Sequence, residues 1–581
     1  MKKPLLGLLV LAVFGTGLPV CRGEVADPAR LAPESSILYL EVTRPDALLG
    51  PALAPSTYEL AQGIPAYKQY LDSDQYRQAR AGTALVEAQL GTDWRTAVSD
   101  VLGGGVYLAF DPAGNSALWI SRSTNPELLN RLNKTLADLI EADARNNARE
   151  SPVKSKEYNG VVGWSFGPNQ FHAIIGDLLV SSNNADALKA AIDRSRQAGS
   201  PSLANVPAFA EARAARPAEA AAWAWAGLDT IRKLPNVEKA LSSPNNNPLG
   251  ELLLGGVLEA ARHAPYAAAS LHLDGGTLRL RAYMPRDAAQ VAPARSWYFA
   301  EAEGVPAGVE LPGTIATLSL VRDLAGFWLS RGDLFDEQTV AGFAQADTQL
   351  GLFFSGRDFG SEVLGELKPG WQFIVVRQEF RDQPVPALKL PAMALVLTME
   401  QPDDFAKHLL IAYQKVIGLT NIVGGQQGQP QLLLASEEYQ GASISTASYL
   451  APQKAEPGKA PLNYNFSPAC ARVGDRFVFG STIGIVKQLV DVLGSGGSAV
   501  DSGNFELALQ AAPLAAILDD NRELLISQNM LAQGNDRGEA EQAIATLLQL
   551  IKAVNKAGLR LTTEPSMLGF ELLIEADAPS P

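Results

Sequence analysis

The stretch Phe171-His-Ala-Ile-Ile-Gly-Asp-Leu-Leu-Val180 recurs later in the chain as Cys470-Ala-Arg-Val-Gly-Asp-Arg-Phe-Val478, with the two Gly-Asp pairs 298 residues apart. In both copies, runs of strand-forming residues flank Gly-Asp, a dipeptide typical of a tight turn between antiparallel strands. An apolar helical pattern follows each copy, from Leu188 in the first and from Val486 in the second. The pair therefore predicts a β-hairpin followed by a helix at two places.

Other matching segments keep one order along both parts of the chain. They pair Asn125-Pro-Glu127 with Gln401-Pro-Asp403, Tyr158-Asn-Gly160 with Tyr439-Gln-Gly441, and Leu228-Asp229 with Leu518-Asp519. Ordered self-similarity predicts an internal duplication, and halves of about 250 residues are too long for solenoid repeats. The halves differ most at insertions such as Gly424–Pro430, whose Gly and Gln content suits an exposed loop. We expect functional asymmetry between the halves near these insertions.

Hairpin signals dominate each half, and alternating strand–helix–strand units are absent. The sequence therefore predicts an α+β fold of two tandem related halves, each of mainly antiparallel sheets with helices packed on one face. The predicted organisation is a signal peptide over residues 1–23, a first half over 24–286, a linker over 287–308 and a second half over 309–581. The linker contains Trp297-Tyr298-Phe299, and three consecutive aromatic rings are expected to dock on one of the bodies.

This ordered pattern resembles a family of uncharacterised exported proteins of planctomycete-type bacteria, built around a domain of unknown function. The resemblance rests on the segment Leu31–Val42, the Gly-Asp hairpin and the following helix in each half, Ser202–Phe209 and Phe353–Phe359. It covers nearly all of the chain after the signal peptide. The resemblance implies export and a shared fold, and it implies no activity and no catalytic residue.

The first 23 residues have the layout of a secretory signal. Lys2 and Lys3 precede an apolar stretch, Leu5–Val20, that is too short for a bilayer-spanning helix and is interrupted by Gly and Pro. We expect cleavage after Gly23 and a periplasmic or secreted protein. Lipid attachment at Cys21 is the alternative, but a lipoprotein site usually has a small residue before its cysteine, and Val20 is not small. No later stretch has 18 consecutive apolar residues, so we expect no transmembrane segment and a soluble mature chain.

Composition excludes some classes of partner. The chain has 581 residues, 47% of them hydrophobic, with 48 Lys and Arg against 62 Asp and Glu, a formal net charge of −14. Signal cleavage removes three cations, which lowers this charge to −17. An acidic surface without a basic run repels phosphate, so no nucleic-acid partner is expected. Cleavage also leaves Cys470 as the single cysteine, which we interpret as a buried, inert thiol in a strand.

The sequence contains no recognisable catalytic, metal-binding or cofactor-binding motif. The four histidines, His172, His263, His272 and His408, lie in separate segments without zinc-ligand spacing. The segment Asp72-Ser73-Asp74 lacks the glycine and the glutamate of a calcium loop, and we interpret it as a solvated helix end.

Three further segments have a chance resemblance to catalytic or phosphate-binding motifs. Ser151-Pro-Val-Lys154 has SxxK spacing in a charged loop, and the glycines of 103–105 and 494–497 are interpreted as turns. We assign no catalytic, cofactor-binding or metal-ligating residue and no cofactor.

Two classes of function remain open. The first is a non-enzymatic binding or envelope-structural component that uses a cleft or sheet face of the two halves to bind an envelope protein, peptide, lipid or glycan. The second is an extracytoplasmic hydrolase whose active site is assembled from distant segments. The absence of catalytic motifs favours the first, and ligand identity and oligomeric state stay open.

Overall fold

A computed structural model describes residues 27–53, 65–197, 199–242, 246–300, 309–380, 384–450, 460–495 and 503–577. The predicted signal peptide and Cys21 lie outside these residues. The chain forms two compact units. The first comprises the described residues up to Glu238 together with Ala264–Pro285, and the second comprises Lys239–His263 together with the described residues from Arg286 onward.

Ten strands and nine α-helices are described in or at the border of the first unit, together with short 3-10 helices at Pro28–Arg30 and Leu203–Asn205. The strands are β1 (Leu38–Val42), β2 (Val106–Asp111), β3 (Ser116–Arg122), β4 (Lys154–Tyr158), β5 (Val161–Gly167), β6 (Gln170–Ile175), β7 (Leu178–Ser182), β8 (Ala222–Ala226), β9 (Ala267–Asp274) and β10 (Thr277–Pro285). The helices are α1 (Pro45–Leu53), α2 (Pro65–Leu71), α3 (Asp74–Leu90), α4 (Trp94–Leu102), α5 (Pro126–Asn146), α6 (Ala185–Arg196), α7 (Pro207–Ala214), α8 (Leu228–Ile231) and α9 (Pro235–Ser242).

The second unit contains the remaining described elements. Its strands are β11 (Thr314–Val321), β12 (Leu367–Val376), β13 (Ala392–Met399), β14 (Leu432–Tyr439), β15 (Ala442–Tyr449), β16 (Ala469–Val473), β17 (Arg476–Gly480), β18 (Phe505–Gln510), β19 (Val554–Thr563) and β20 (Met567–Ala576). Its helices are α10 (Pro248–His263), α11 (Leu324–Leu329), α12 (Arg331–Leu334), α13 (Glu337–Phe353), α14 (Pro402–Gln426), α15 (Ile483–Gly494), α16 (Ala511–Asp520), α17 (Arg522–Gln533) and α18 (Arg537–Lys552).

Strand pairing is antiparallel and follows the same order in both units. In the first unit the order is β4-β5-β6-β7-β3-β2-β1-β8-β9-β10. In the second it is β14-β15-β16-β17-β13-β12-β11-β18-β19-β20. The predicted α+β class with mainly antiparallel sheets is confirmed. The duplication itself and the boundaries of the predicted halves stay predictions.

The Gly-Asp hairpins form as predicted because their glycines supply a backbone conformation that other residues avoid. Gly176 has φ 66° and Gly474 has φ 64°, the left-handed region that a two-residue hairpin turn requires at its first position. At the start of α5, the Asn125 side chain accepts the Leu128 N–H at 3.1 Å, which confirms the predicted helix start.

Helices cover both faces of the hairpin region in each unit, where the sequence predicted one face. In β7, Leu178 and Val180 pack with α6, whereas Leu179 between them packs with α5. In β17, Val478 packs with α15, and its neighbour Phe477 packs with α14. Successive strand residues point to opposite faces, so both faces of these strands are apolar and each is covered by a helix.

The aromatic rings of the predicted linker dock in the second unit. Residues Pro293–Phe299 form a 3-10 helix in which Trp297 and Tyr298 are buried. The Trp297 ring meets the Phe327 ring edge-on at 4.8 Å, and the Tyr298 hydroxyl donates to the Leu253 carbonyl of α10 at 2.9 Å. This agrees with the expectation that these rings dock on one of the bodies.

Candidate functional site

The described histidines do not form a common site. His172 of β6 is buried, its Nε2 lies 3.1 Å from Asn133 Oδ1, and burial lowers its pKa to about 3. His263 lies 3.8 Å from Glu259, one turn earlier on α10. His408 of α14 contacts the Arg357 guanidinium at 2.8 Å. Within the described residues, no group of three His, Cys, Asp or Glu side chains could hold a metal ion.

One histidine does meet a serine hydroxyl. His272 Nε2 lies 3.0 Å from Ser270 Oγ, because residues two apart in β9 point to the same face. Ser270 is only 2% exposed. A nucleophile must reach its substrate, so the burial of this hydroxyl argues for a structural contact.

The remaining sequence candidates occupy structural positions. Cys470 is a buried residue of β16, and burial raises the pKa of its thiol to about 12, as expected of an inert cysteine. Ser73 caps α3, and Asp74 pairs with Arg77, which confirms the solvated helix end. The hydroxyl of Ser151 accepts the Val153 N–H at 3.2 Å, as in a local turn.

The glycine segments also occupy the ends of helices. Gly103 to Gly105 connect α4 to β2, and Gly105 has φ 125°. Gly494 ends α15, and residues 496 and 497 lie outside the described part of the chain. The turn interpretation is confirmed for Gly103 to Gly105.

A buried charge network in the first unit was missed in the sequence. Glu41 of β1 is 4% exposed and pairs with Arg216 at 2.5 Å. Arg213 forms two hydrogen bonds to Asp27, of 2.7 and 3.0 Å. Burial would raise the pKa of Asp27, but hydrogen bonding and attraction from Arg213 outweigh it and lower that pKa. The network ties the chain before β1 to α7, so we interpret it as structural.

A second network in the second unit surrounds Arg322, which is fully buried. Its Nε donates to the Leu252 carbonyl at 2.9 Å, its Nη1 donates to the Val321 carbonyl at 2.6 Å and to both oxygens of Asn504, and its guanidinium lies 3.6 Å from the Tyr298 ring centre. Burial lowers the pKa of Arg322 to about 10, with the Tyr298 hydroxyl acting in the opposite direction. These contacts hold α10 and the aromatic segment, again as structure.

The outer side of α14 carries a group of exposed aliphatic side chains. Five aliphatic side chains of this helix are between 42% and 62% exposed: Ile411, Val416, Leu419, Ile422 and Val423. The one charged residue between Leu409 and Gln426 is Lys415. Its ammonium group donates to the carbonyls of Leu352 and Phe353 at the end of α13, at 3.1 and 3.0 Å. The cation is thus directed at a helix C-terminus, where it is stabilised by the helix dipole.

The corresponding helix of the first unit serves as an internal comparison. In both units this helix follows the fifth strand of the order given above, β3 or β13, and precedes the hairpin at one edge, β4-β5 or β14-β15. After Pro126 at its start, the exposed positions of α5 carry charged or amide side chains: Glu127, Arg131, Lys134, Asp138, Asp143, Arg145 and Asn146. Since α5 exposes no large apolar side chain, the apolar side of α14 is not required by the fold.

The strand next to α14 extends this surface. Leu434 of β14 is 48% exposed and points to the α14 side of the sheet, like buried Leu432, whereas its neighbour Leu433 points to the other side. Its counterpart β4 begins Lys154-Ser-Lys-Glu157, and these four residues are exposed. We call the five α14 side chains together with Leu434 the unit-2 apolar surface. It flanks the insertion Gly424–Pro430, whose first three residues are helical and extend α14.

A signal for this surface was present in the sequence. The segment from Leu409 to Gln426 carries one charge, whereas the matching part of α5 carries several. A neutral segment of this kind is also typical of a helix that is buried on all sides. Only the packing of the folded chain therefore shows that part of this helix is exposed.

Comparisons with known proteins add no function. No protein-family model matches the chain, and no curated protein is significantly similar to it in sequence. Among solved structures, the chain is similar to crystal form I of TP0453, with 9% identity over 45% of this chain and 78% of that chain, at a TM-score of 0.24. For crystal form III of the same protein the values are 10% identity, 49% and 89%, also at a TM-score of 0.24. Scores this low do not assign a shared fold. The helices in the described ranges include none that combines the length and the hydropathy of a membrane-spanning segment.

Proposed function

We propose that this chain is an exported, non-enzymatic binding component of the cell envelope, and that it binds an apolar polypeptide segment of a partner protein on the unit-2 apolar surface. One observation carries the proposal. Two helices in equivalent positions differ in their exposed side chains: α5 exposes no large apolar side chain, whereas α14 exposes five between Ile411 and Val423. Because exposed apolar area is costly in water, a surface that only one of two equivalent helices has is best explained by a partner that covers it.

The chemistry of the surface favours a polypeptide over the other partners considered. Anionic lipid would be attracted by clustered cations, but Lys415 is held by backbone carbonyls and the whole chain has a net charge of −14. The exposed side chains that define the surface are aliphatic and include no aromatic ring for a sugar to pack on. A polypeptide can supply both apolar side chains and backbone hydrogen bonds.

The size of the surface gives an expected strength. Full burial of a large aliphatic side chain is worth about 1.5–3 kcal/mol, so six side chains that are about half exposed contribute about 7 kcal/mol in total. Association costs about 4–15 kcal/mol in lost freedom. Apolar contact alone thus supports only weak binding, and a specific complex would need further hydrogen bonds at the same place.

Site-specific photocrosslinking tests the proposal. A photoreactive residue at Leu419 is compared with one at Asp143, since both positions lie eighteen residues after the N-caps of their helices. The full chain is produced in its own organism and irradiated. We expect a discrete adduct with one envelope protein from position 419, no such adduct from position 143, and loss of the first adduct when Ile422→Lys is added. Ile422 is 62% exposed, so this substitution should leave the melting temperature unchanged.

Two results would contradict the proposal. Identical adducts from positions 419 and 143 would show that capture does not depend on the unit-2 apolar surface. An adduct from position 419 that survives Ile422→Lys would show the same. Export is tested separately, by locating the chain after cell fractionation.

The hydrolase alternative has no specific observation in its favour. The contact between Ser270 and His272 joins a serine that is 2% exposed to a histidine in the same strand.

A further inference from the structure

Strand β14 has an open edge beside the unit-2 apolar surface. Within the described residues it pairs with β15 on one side and with no strand on the other. At Leu432, the Asn421 side chain of α14 occupies the open side: the Leu432 N–H donates to Asn421 Oδ1 at 2.7 Å, and Asn421 Nδ2 donates to the Leu432 carbonyl at 2.8 Å. A carboxamide here makes the two hydrogen bonds that a neighbouring strand would make.

The direction of the following backbone groups is set by the alternation of an antiparallel ladder. Both polar groups of a residue point to the same side, and the side alternates along the strand. Since Leu432 points outward, Leu434, Ser436 and Glu438 do so as well. The register agrees: Ala447 lies opposite Leu434 and donates its N–H to the Pro468 carbonyl at 2.8 Å, away from β14.

The equivalent edge of the first unit is protected and this one is not. Proteins discourage unwanted strand addition by placing charged residues, lysine above all, on edge strands. The edge strand β4 has Lys154, Lys156 and Glu157. By contrast, β14 is uncharged from Leu432 to Ser436, and its charges begin at Glu437.

We propose that the partner segment binds as an additional antiparallel strand on the open edge of β14. It pairs with the residues after Leu432, since Asn421 already binds the outward groups of Leu432. This rests on the proposed function and specifies the form of the partner. Hydrogen bonds to Leu434, Ser436 and Glu438 supply the interaction that apolar contact alone lacks, in the mode known as strand addition. Antiparallel addition follows the pairing of every strand in this unit.

Charge and polarity along β14 define the chemistry of the segment. Glu437 pairs with Lys487 at 3.0 Å, which leaves exposed Glu438 to attract a cation. An antiparallel strand places its N-terminal end opposite Glu438 and its C-terminal end opposite Leu433 and Leu434. The segment is therefore an extended run of about six residues, basic at its N-terminal end and β-branched or aliphatic at its C-terminal end.

A labelled peptide of sequence Lys-Thr-Thr-Val-Val-Ile is the probe, and its binding to the full chain is measured by fluorescence anisotropy. With lysine opposite Glu438, its first, third and fifth residues direct their N–H groups at β14. N-methylation of the third and fifth residues should weaken binding by about tenfold or more, because two hydrogen bonds are lost. N-methylation of the second and fourth residues, which point away, should change it by less than about twofold and is the matched control.

Two substitutions in β14 itself test the same edge. Ser436→Pro removes an outward N–H that the sheet does not use, so the fold should tolerate it and peptide binding should fall about tenfold. Ser436→Ala keeps that N–H and should bind like the unsubstituted chain. Equal melting temperatures of the two variants would show that the fold is intact.

Each contrary outcome has a distinct meaning. Strand addition is overturned if Ser436→Pro and Ser436→Ala bind alike, if both methylated peptides bind alike, or if no binding occurs at about 1 mM peptide. A dimer in analytical ultracentrifugation that Ser436→Pro dissociates would overturn the choice of occupant, because the edge would then take a second copy of this chain. If the peptide tests fail while the Leu419 adduct still depends on Ile422, strand addition is wrong and the proposed function stands.

Discussion

His172→Gln should make the stability of the first unit less sensitive to acid. The ring is buried between α5 and β6, against Phe166 at 4.9 Å, and burial lowers its pKa to about 3 from an ordinary value of 6.5. In the unfolded chain the imidazole takes up a proton below pH 6.5, whereas in the folded chain it stays neutral until about pH 3. The unfolded state therefore binds more protons in this window, and stability falls as the pH falls from 6.5 towards 3.

The magnitude follows from the size of the window. One pH unit corresponds to about 1.36 kcal/mol for a group that is protonated only in the unfolded state. Between pH 7.5 and pH 5 the His172 side chain thus lowers the free energy of unfolding by about 2 kcal/mol. Above pH 7.5 its contribution is nearly constant. Glutamine has no proton to gain, so the variant should lack this part of the acid dependence, whatever its stability at neutral pH.

Urea unfolding at pH 7.5, 6.5, 5.5 and 5.0, followed by tryptophan fluorescence and circular dichroism, measures the effect. The quantity of interest is the change in unfolding free energy between pH 7.5 and pH 5, compared between the unsubstituted chain and the variant. His272→Gln is the control in the same unit, on a half-buried histidine beside Ser270. A difference below about 0.5 kcal/mol between His172→Gln and the unsubstituted chain would refute the assignment of a buried neutral imidazole.

Three further predictions concern buried groups and export. Arg322→Met should lower the unfolding free energy of the second unit by about 3 kcal/mol in urea, because the carbonyls of Leu252 and Val321 lose their donor. The control is Arg149→Met, which changes an exposed arginine and should cost less than about 0.5 kcal/mol. Cys470 should resist iodoacetamide in the folded chain at pH 8 and react fully in urea, since its buried thiol has a pKa of about 12; modification at equal rates in both states would contradict this. Mass spectrometry of the exported protein should find an N-terminus after Gly23 and no lipid, whereas a lipidated Cys21 would establish the alternative.

Turns, helix starts and strand positions could be predicted from the sequence because a few contiguous residues determine them. The turns at Gly176 and Gly474 need only a residue that tolerates positive φ, and the helix start at Asn125 needs only a side chain that accepts a backbone N–H. The strand position of Cys470 follows from the apolar run around it. The α+β class was readable for the same reason, since closely spaced hairpins impose antiparallel pairing.

The buried charged groups could not be predicted from the sequence, because their burial depends on contacts between residues that are far apart in the chain. Arg and Glu side chains usually lie on the protein surface, yet Arg322 and Glu41 are both buried. The groups that they bind, such as Asn504 and Arg216, lie far along the chain. The membership of Lys239–His263 in the second compact unit likewise depends on contacts with residues far along the chain. Burial of a charge is decided by the groups that assemble around it.

The sequence by itself determined the hairpins, the helix starts, the antiparallel α+β class and the acidic charge, all of which follow from local conformation and composition. Only the tertiary structure decided which apolar residues stay uncovered. The segment from Leu409 to Val423 reads as a helix that is apolar on most sides, and the same pattern would fit a fully buried helix. The sheet covers one side of α14 and leaves Leu419 and Ile422 in water beside an unprotected edge strand, and solvent contact of this kind is a property of the packed chain.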